Sequence, residues 1–145
     1  MLIQCIVKIS DMLALSENNI RTIFADDVKA YFDKNDIRYT QDIGITGKSG
    51  LNTKYDFVIP GHNDTPERFI APINKLRSDI TKTTIFSWQD VCGTRPDKSV
   101  LYTIINDRES KGTLQYDSNI KALKNFGIES IEWSSIDKKL HLFSA

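Results

Sequence analysis

One acidic residue stands out because it lies inside a short apolar run. Asp56 is the second residue of the stretch 55–60, which reads Tyr-Asp-Phe-Val-Ile-Pro and is typical of a β-strand. Aspartate is disfavoured in strands and is seldom buried without a partner, so this position needs a reason. Either the carboxylate holds a cation in a functional site, or it accepts backbone hydrogen bonds or pairs with a nearby basic residue. The residues alone favour the second, structural interpretation.

A glycine-containing stretch, 44–49, carries the lysine and serine of a phosphate-binding loop but not its spacing. The P-loop pattern needs a glycine five residues before Gly47, and that position holds Asp42. A strand follows the stretch, whereas a P-loop leads into the helix whose N-terminus cradles phosphate. We therefore interpret the stretch as a hairpin loop, in which Lys48 could still contact a nucleic-acid backbone.

The histidines and cysteines do not form a recognisable catalytic or metal-binding pattern. His62 and His141 lie far apart in the sequence, and no nucleophile motif accompanies either of them. Cys5 and Cys92 have neither zinc-type spacing nor a disulfide framework, which favours a reducing cytoplasm.

The composition predicts a single globular domain that spans residues 1–145. Apolar residues make up 40% of the chain, while Lys and Arg number 19 and Asp and Glu also number 19. Because the charges balance, no strong overall field attracts the chain to nucleic acid or to anionic membranes. No apolar stretch reaches transmembrane length, and we expect no membrane association.

Hydrophobic periodicity predicts an α/β (α+β) domain with the element order α-α-β-β-β-α-β-α-β, a mixed sheet and flanking helices. Pro72 implies that the third strand lies at an edge or ends there. The predicted helices are a leading helix at 1–15, helices at 17–34 and 74–91, and a helix from 117 or 118 through 126 that is followed by Gly127 in the C′ position. The predicted strands are 37–45, 55–60, 67–73, a buried strand at 100–105 and 128–133, and a tail at 136–145 has a further edge strand at 140–143.

This order of elements resembles the core of the PD-(D/E)XK, or restriction-endonuclease-like, superfamily, over residues 17–135. The local sequence motifs also resemble a bacterial and phage family, domain of unknown function 1829, which is the C-terminal part of a two-part protein. The N-terminal part of that family is then expected to be missing from this chain. The matching pieces are 47–50, 55–60, 66–70, 86–90, Arg95, 105–107 and 131–134.

The superfamily resemblance implies a divalent metal site built from two acids and a lysine. Asp56 would be the first ligand, but the next strand contains no acid-x-lysine triplet, which alternate side chains of one strand face would require. The remaining arrangement takes Glu67 as the second ligand of Mg²⁺ and Lys75 as the third catalytic residue. We expect no cofactor, and Mg²⁺ only if this nuclease alternative holds.

Our sequence-based interpretation is therefore a catalytically incomplete, nuclease-like domain that binds a protein partner or nucleic acid, and that is not an enzyme. The resemblance suggests a phage or mobile element and a role in host defence or counter-defence. The alternatives are a Mg²⁺-dependent DNA endonuclease and a homo-oligomeric structural or regulatory domain that associates through the first helix. The residues predicted to contact nucleic acid or a partner are Lys48, Arg77, Trp88 and Arg95.

Overall fold

The computed structural model describes residues 23–62, 64–96 and 98–143. These residues form three layers, in which a five-stranded mixed sheet separates two groups of helices. The predicted fold class, α+β with a mixed sheet and flanking helices, is confirmed. The leading helix at 1–15, the start of the next helix at 17–22 and Cys5 lie outside the described residues.

The elements follow one another with short connections. The first described helix, α1, covers residues 23–34, where the prediction placed a helix at 17–34. The others are β1 (Thr40–Thr46), β2 (Asn52–Ile59), β3 (Arg68–Ile73), α2 (Ser78–Cys92), β4 (Val100–Ile105), the short helix α3 (Asp107–Ser110), α4 (Tyr116–Asn125), β5 (Glu129–Glu132) and a 3₁₀ helix (Trp133–Leu142).

The strands lie side by side in the order of the sequence, β1-β2-β3-β4-β5. The first three form an antiparallel meander, whereas β4 and β5 run parallel to β3. The crossover from β3 to β4 contains α2, and the crossover from β4 to β5 contains α3 and α4. The carboxyl ends of β3, β4 and β5 therefore meet at one edge of the sheet, where α/β proteins commonly bind ligands.

Each face of the sheet buries its own apolar core. On one face, α1 and the 3₁₀ helix pack on the sheet, and Phe32 and Ile104 lie at the centre of that core with no exposed surface. On the other face, α2 and α4 cover Phe69 and Ile105, which are also fully buried. Strands β3 and β4 are apolar on both sides for this reason, as the continuous apolar run at 100–105 predicts.

One sequence-based prediction about strands is wrong, and a second holds in one of its two alternatives. Residues 140–143 do not add an edge strand, because they end the 3₁₀ helix and place Phe143 in the first core with 1% exposure. The buried Arg68 holds this segment by donating a hydrogen bond of 2.8 Å from Nη1 to the carbonyl oxygen of Leu142. Of the two alternatives for Pro72, an edge strand or the end of a strand, the second holds: β3 is the central strand, and it ends one residue after Pro72.

No helix within the described ranges is long and apolar enough to cross a lipid bilayer.

Candidate functional site

A concave surface of the described residues lies where β2 meets the carboxyl ends of β3 and β4. This cleft has a volume of about 1120 Å³. Asp56 of β2 lines it together with Pro72 and Ile73 of β3 and the segment that follows. Residues from α1, α2 and α3 form the remaining walls, so every layer of the fold contributes to it. We take this cleft as the candidate functional site.

The cleft exists because β2 separates from β3 halfway along its length. The ladder between these strands ends at the pair Phe57–Ile70, while β2 remains paired with β1 on its other side. Pro72 has no N–H to donate to β2, so the central strand cannot continue that ladder. Pro72 still pairs with Ile104 of β4 in the parallel register. Pro72, which the sequence placed at an edge strand or at the end of a strand, thus opens a cleft beside a central strand.

An irregularity in the β1–β2 hairpin sets the position of Asp56. Asp42 has a left-handed backbone, with φ of 54°, and it does not pair with Asp56 although the pairs on both sides keep one register. Tyr55 and Phe57 contribute to opposite cores, whereas residues two apart in a regular strand share a face. The strand therefore changes face at Asp56, and the side chain lines the cleft instead of entering either core.

Side chains at the start and end of α3 hold the segment 74–77, which follows β3 and forms the rim of the cleft. The Ser110 hydroxyl is fully buried, accepts a hydrogen bond of 3.0 Å from the Leu76 amide and lies 3.2 Å from the Asn74 carbonyl oxygen. Asn106 donates from Nδ2 to the Asn74 side-chain oxygen at 2.9 Å. Leu76 is itself fully buried. Lys75, on one side of Leu76, is consequently exposed on a fixed backbone, and so is Arg77 on the other side.

Acidic residues outnumber basic ones in the cleft. The described lining has five carboxylates and three cationic side chains, which gives a formal charge of −2. Two exposed ion pairs lie within it: Lys54 with Asp42 at 3.7 Å, and Arg77 with Asp79 at 3.5 Å. The charged side chains of the lining are Asp26, Asp42, Asp56, Asp79 and Glu109, and Lys54, Lys75 and Arg77.

The structure does not bring Glu67 to Asp56. Continuing the β2–β3 register puts Glu67 opposite Pro60, four residues and about 13 Å along the strand from Asp56. The Glu67 carboxylate instead pairs in a bidentate way with Arg95, through Nε at 2.8 Å and Nη2 at 2.6 Å. This hydrogen bonding to Glu67 raises the pKa of the Arg95 guanidinium. Glu67 is thus a structural partner of Arg95, whose side chain is 32% exposed.

The residues beside Asp56 do not fit a two-carboxylate magnesium site. On β3, the positions that face Asp56 in the continued register and two residues further are Ala71 and Ile73, which have no ligand oxygen in their side chains. Lys75 lines the same cleft, so the structure does bring together Asp56 and Lys75 of the predicted catalytic set. Among the residues that the structure describes, no group of three or more His, Cys, Asp or Glu could hold a metal ion.

Lys48 lies in the β1–β2 hairpin loop, away from the cleft. The loop is fastened to the end of α2: the Lys48 amide donates to the Asp90 carbonyl oxygen at 3.0 Å, and Ser49 donates to the Asp90 carboxylate from both N and Oγ at 2.7 Å. The Lys48 side chain passes so close to Gly93 that a β-carbon there would lie 2.1 Å from its Cε. These contacts explain why glycine and serine surround Lys48, and they confirm the hairpin interpretation of the stretch.

Trp88 is not an exposed anchor for a partner. Only 4% of its surface is exposed, and its ring packs against Phe69 at 5.5 Å and Tyr55 at 6.4 Å between centroids. The helical spacing of α2 places Trp88 on the same inner face as Val91, which is fully buried. Of the four residues predicted to contact a partner, Arg77 and Lys48 are the exposed ones.

Sequence reasoning missed the acid at the carboxyl end of β4. Asp107 is 7% exposed and accepts hydrogen bonds from the Ser134 amide at 3.0 Å and the Ser134 hydroxyl at 2.6 Å. Burial raises the pKa of Asp107, but these bonds, its own backbone amide and the charge of Lys111 outweigh burial and hold the pKa below its usual range. Asp107 therefore joins α3 to the start of the 3₁₀ helix and stabilises the packing of these two elements next to the cleft.

Asn74, Asn106, Asp26 and Glu109 were also missed as lining residues of the cleft. A signal for Asn106 is present in the sequence, because it directly follows the buried run 100–105, and polar residues after a buried parallel strand commonly lie at ligand sites. The sequence carries no comparable signal for Asp26 or Glu109, which come from two separate helices.

Comparisons with known proteins give one match. A family model described as domain of unknown function DUF1829 matches residues 47–136. This range begins at the hairpin loop, contains the rim of the cleft and ends within the 3₁₀ helix. No curated protein and no solved structure matches the chain.

Proposed function

The chain belongs to the family of the domain of unknown function DUF1829, and from that premise we propose that it is a non-catalytic binding domain. Its ligand is a protein partner that inserts a cationic segment into the cleft beside Asp56. The observation that carries this proposal is the composition of the lining, with five acids, three bases and apolar residues such as Ile73 and Ile80.

The charge of the cleft favours a cationic protein segment over nucleic acid. Binding to a phosphate backbone relies on Lys and Arg that displace counterions, and a lining of net negative charge opposes it. Arginine and lysine side chains of a partner would instead form charge-assisted hydrogen bonds with the carboxylates. Asp26 and Glu109 are exposed and form no ion pair within the described part of the chain, so both are available for such contacts.

The size of the cleft agrees with a segment of a protein. Pockets for small molecules usually measure about 300–1,000 Å³. The cleft, with about 1120 Å³, exceeds that range and is bounded by elements from all three layers of the fold. The sequence resemblance suggests that such a partner acts in phage or mobile-element defence or counter-defence.

The test neutralises two acids of the cleft that are exposed. Asp26→Asn combined with Glu109→Gln neutralises two exposed lining residues, while Asp64→Asn combined with Asp117→Asn removes two exposed acids outside the lining and serves as the matched control. At low salt, we expect the cleft variant to bind an arginine-rich peptide about three- to tenfold more weakly than wild type, as exposed charge pairs predict. The control variant keeps the affinity of the wild type.

The same proteins are tested for the rival activities. Isothermal calorimetry compares the peptide with duplex DNA, and a cleavage assay with Mg²⁺ or Mn²⁺ covers DNA and RNA. Tighter binding of DNA than of the peptide, or metal-dependent cleavage that Asp56→Asn abolishes in a folded protein, would reject the proposal. Equal peptide affinity for the cleft and control variants would reject the assignment of the cleft.

A further inference from the structure

Beside the cleft, on the other side of the rim, lies a second depression of about 470 Å³ with a different charge. Lys75 and Arg77 line both concavities and so form a ridge between them. In the lining of the second depression no carboxylate occurs among the described residues. Its other walls are Ser78 and the connection between α3 and α4, residues 112–115.

From this arrangement we propose that the second depression binds the dianionic phosphate group of a phosphomonoester. The formal charge of its lining is +2, from Lys75 and Arg77. A phosphomonoester carries a charge of about −1.5 to −2 at pH 7, which matches two cations, whereas a phosphodiester carries one negative charge. The planar guanidinium of arginine suits phosphate oxygens, and lysine adds a point charge with three donors.

The backbone of the ridge is fixed before any ligand binds. Both polar backbone atoms of Leu76 are engaged, since its amide donates to Ser110 Oγ at 3.0 Å and its carbonyl oxygen lies 3.2 Å from the Thr113 hydroxyl. The side chain of Leu76, the residue between Lys75 and Arg77, is fully buried. The backbone that carries both cationic residues is therefore ordered before binding, which reduces the conformational entropy lost when a ligand binds.

Among the other polar side chains of the depression, Gln115 keeps donors for a ligand. Ser78 donates from Oγ to the side-chain oxygen of Gln115 at 2.9 Å, and Thr113 donates to backbone carbonyl oxygens, so both hydroxyl hydrogens are used within the chain, whereas the amide N–H₂ of Gln115 takes no part in these bonds. Arg77 occupies the N-cap position of α2 and makes no side-chain capping bond, so the positive end of that helix adds to the field. The Asp79 carboxylate lies 3.5 Å from Arg77 Nε and lines the cleft, not the depression.

The experiment is a titration of the full chain with inorganic phosphate, with a nucleoside monophosphate and with a dinucleoside phosphodiester that has no terminal phosphate. Backbone amide shifts in ¹H–¹⁵N spectra report the site, and we expect them at Ser78 and at residues 112–115. Lys75→Met or Arg77→Gln should weaken binding of the first two ligands by about tenfold, as loss of one charge-assisted contact predicts. Asp79→Asn should strengthen it, because it frees Arg77.

A matched control and a change of pH complete the test. Lys121→Met combined with Lys124→Met removes two exposed cations of α4 that do not line the depression, and this variant should bind like the wild type. Lowering the pH below about 6 protonates the monoester and should weaken binding in parallel. Equal binding of the diester, shifts that follow the control lysines, or no shifts at low ionic strength with phosphate in large excess would overturn the proposal. Lys75, Arg77 and Asp79 also line the acid-rich cleft, but these outcomes are measured with phosphate ligands and with shifts at Ser78 and residues 112–115, which do not line it, so they are distinguishable from the outcome of the peptide test.

Discussion

The strength of the ion pair between Glu67 and Arg95 distinguishes a structural role of Glu67 from a role as a metal ligand. Two short hydrogen bonds join the side chains, which are 18% and 32% exposed. Both are less exposed than a typical surface pair, for which coupling energies are about 0–1 kcal/mol. Charge-assisted hydrogen bonds contribute about 1.5–3 kcal/mol each. We therefore predict a coupling energy of about 2 kcal/mol between the two residues.

A double-mutant cycle measures this energy. The variants are Glu67→Gln, Arg95→Met and their combination, and methionine keeps an apolar stem over the Phe69 ring, whose centroid lies 5.9 Å from the guanidinium carbon. For a chain of 145 residues the unfolding entropy is about 0.3 kcal/mol/K, so a loss of about 2 kcal/mol lowers Tm by about 7 °C. Urea unfolding followed by tryptophan fluorescence gives the free energies, with the coupling taken from the four proteins.

An exposed ion pair of the same protein is the control. Lys54 and Asp42 lie 3.7 Å apart with side chains 65% and 58% exposed, and the cycle of Lys54→Met and Asp42→Asn should give less than about 0.5 kcal/mol. A coupling between Glu67 and Arg95 no larger than that of the control pair would refute the structural role. So would a stabilisation by Mg²⁺ that wild type shows and Glu67→Gln lacks.

Two further predictions concern the hairpin loop and Asp107. Gly47→Ala should lower the free energy of unfolding by about 1–3 kcal/mol, since the new methyl group would lie 2.0 Å from the fixed Asp90 carboxylate. Gly93→Ala should lower it less, because the Lys48 side chain can move away from the new methyl group. Equal losses of the free energy of unfolding in urea would contradict this prediction. Asp107 has a lowered pKa, so its contribution to stability is complete above about pH 4 and is lost as the pH falls through the folded-state pKa. Asp107→Asn should therefore be less stable than wild type at pH 7 by about 1 kcal/mol or more, and this difference should shrink in acid; a constant difference from pH 7 to pH 2 would contradict it.

The sequence predicted the sheet well because local periodicity determines which segments become strands. The run 100–105 is apolar except for Thr103 and forms the buried strand β4, and the joint at 46–53 forms a hairpin. The positive φ of Gly127, 76°, agrees with its predicted place after the helix that ends near it. These features depend on neighbours in the chain, which a single sequence contains.

The candidate site was predicted only in part, because its geometry depends on partners that are distant in the sequence. Glu67 reads as an acid beside a strand, but Arg95, which is 28 residues away, determines what the carboxylate binds. The sequence left two alternatives for Pro72, an edge strand or the end of a strand, because the pattern cannot show that the ladder between β2 and β3 ends before Pro72. The tail reads as a strand because Leu140 and Phe143 are apolar, whereas tertiary packing turns it into a 3₁₀ helix that buries Phe143.

The most direct test of a binding cleft without a metal site is a single ¹H–¹⁵N experiment on the wild-type chain, titrated first with Mg²⁺ and then with an arginine-rich peptide. We predict that the amides of Asp56, Asn74 and Asn106 shift with the peptide and to the same extent whether or not Mg²⁺ is present. Saturable shifts of these amides with micromolar Mg²⁺, and none with the peptide, would contradict the account.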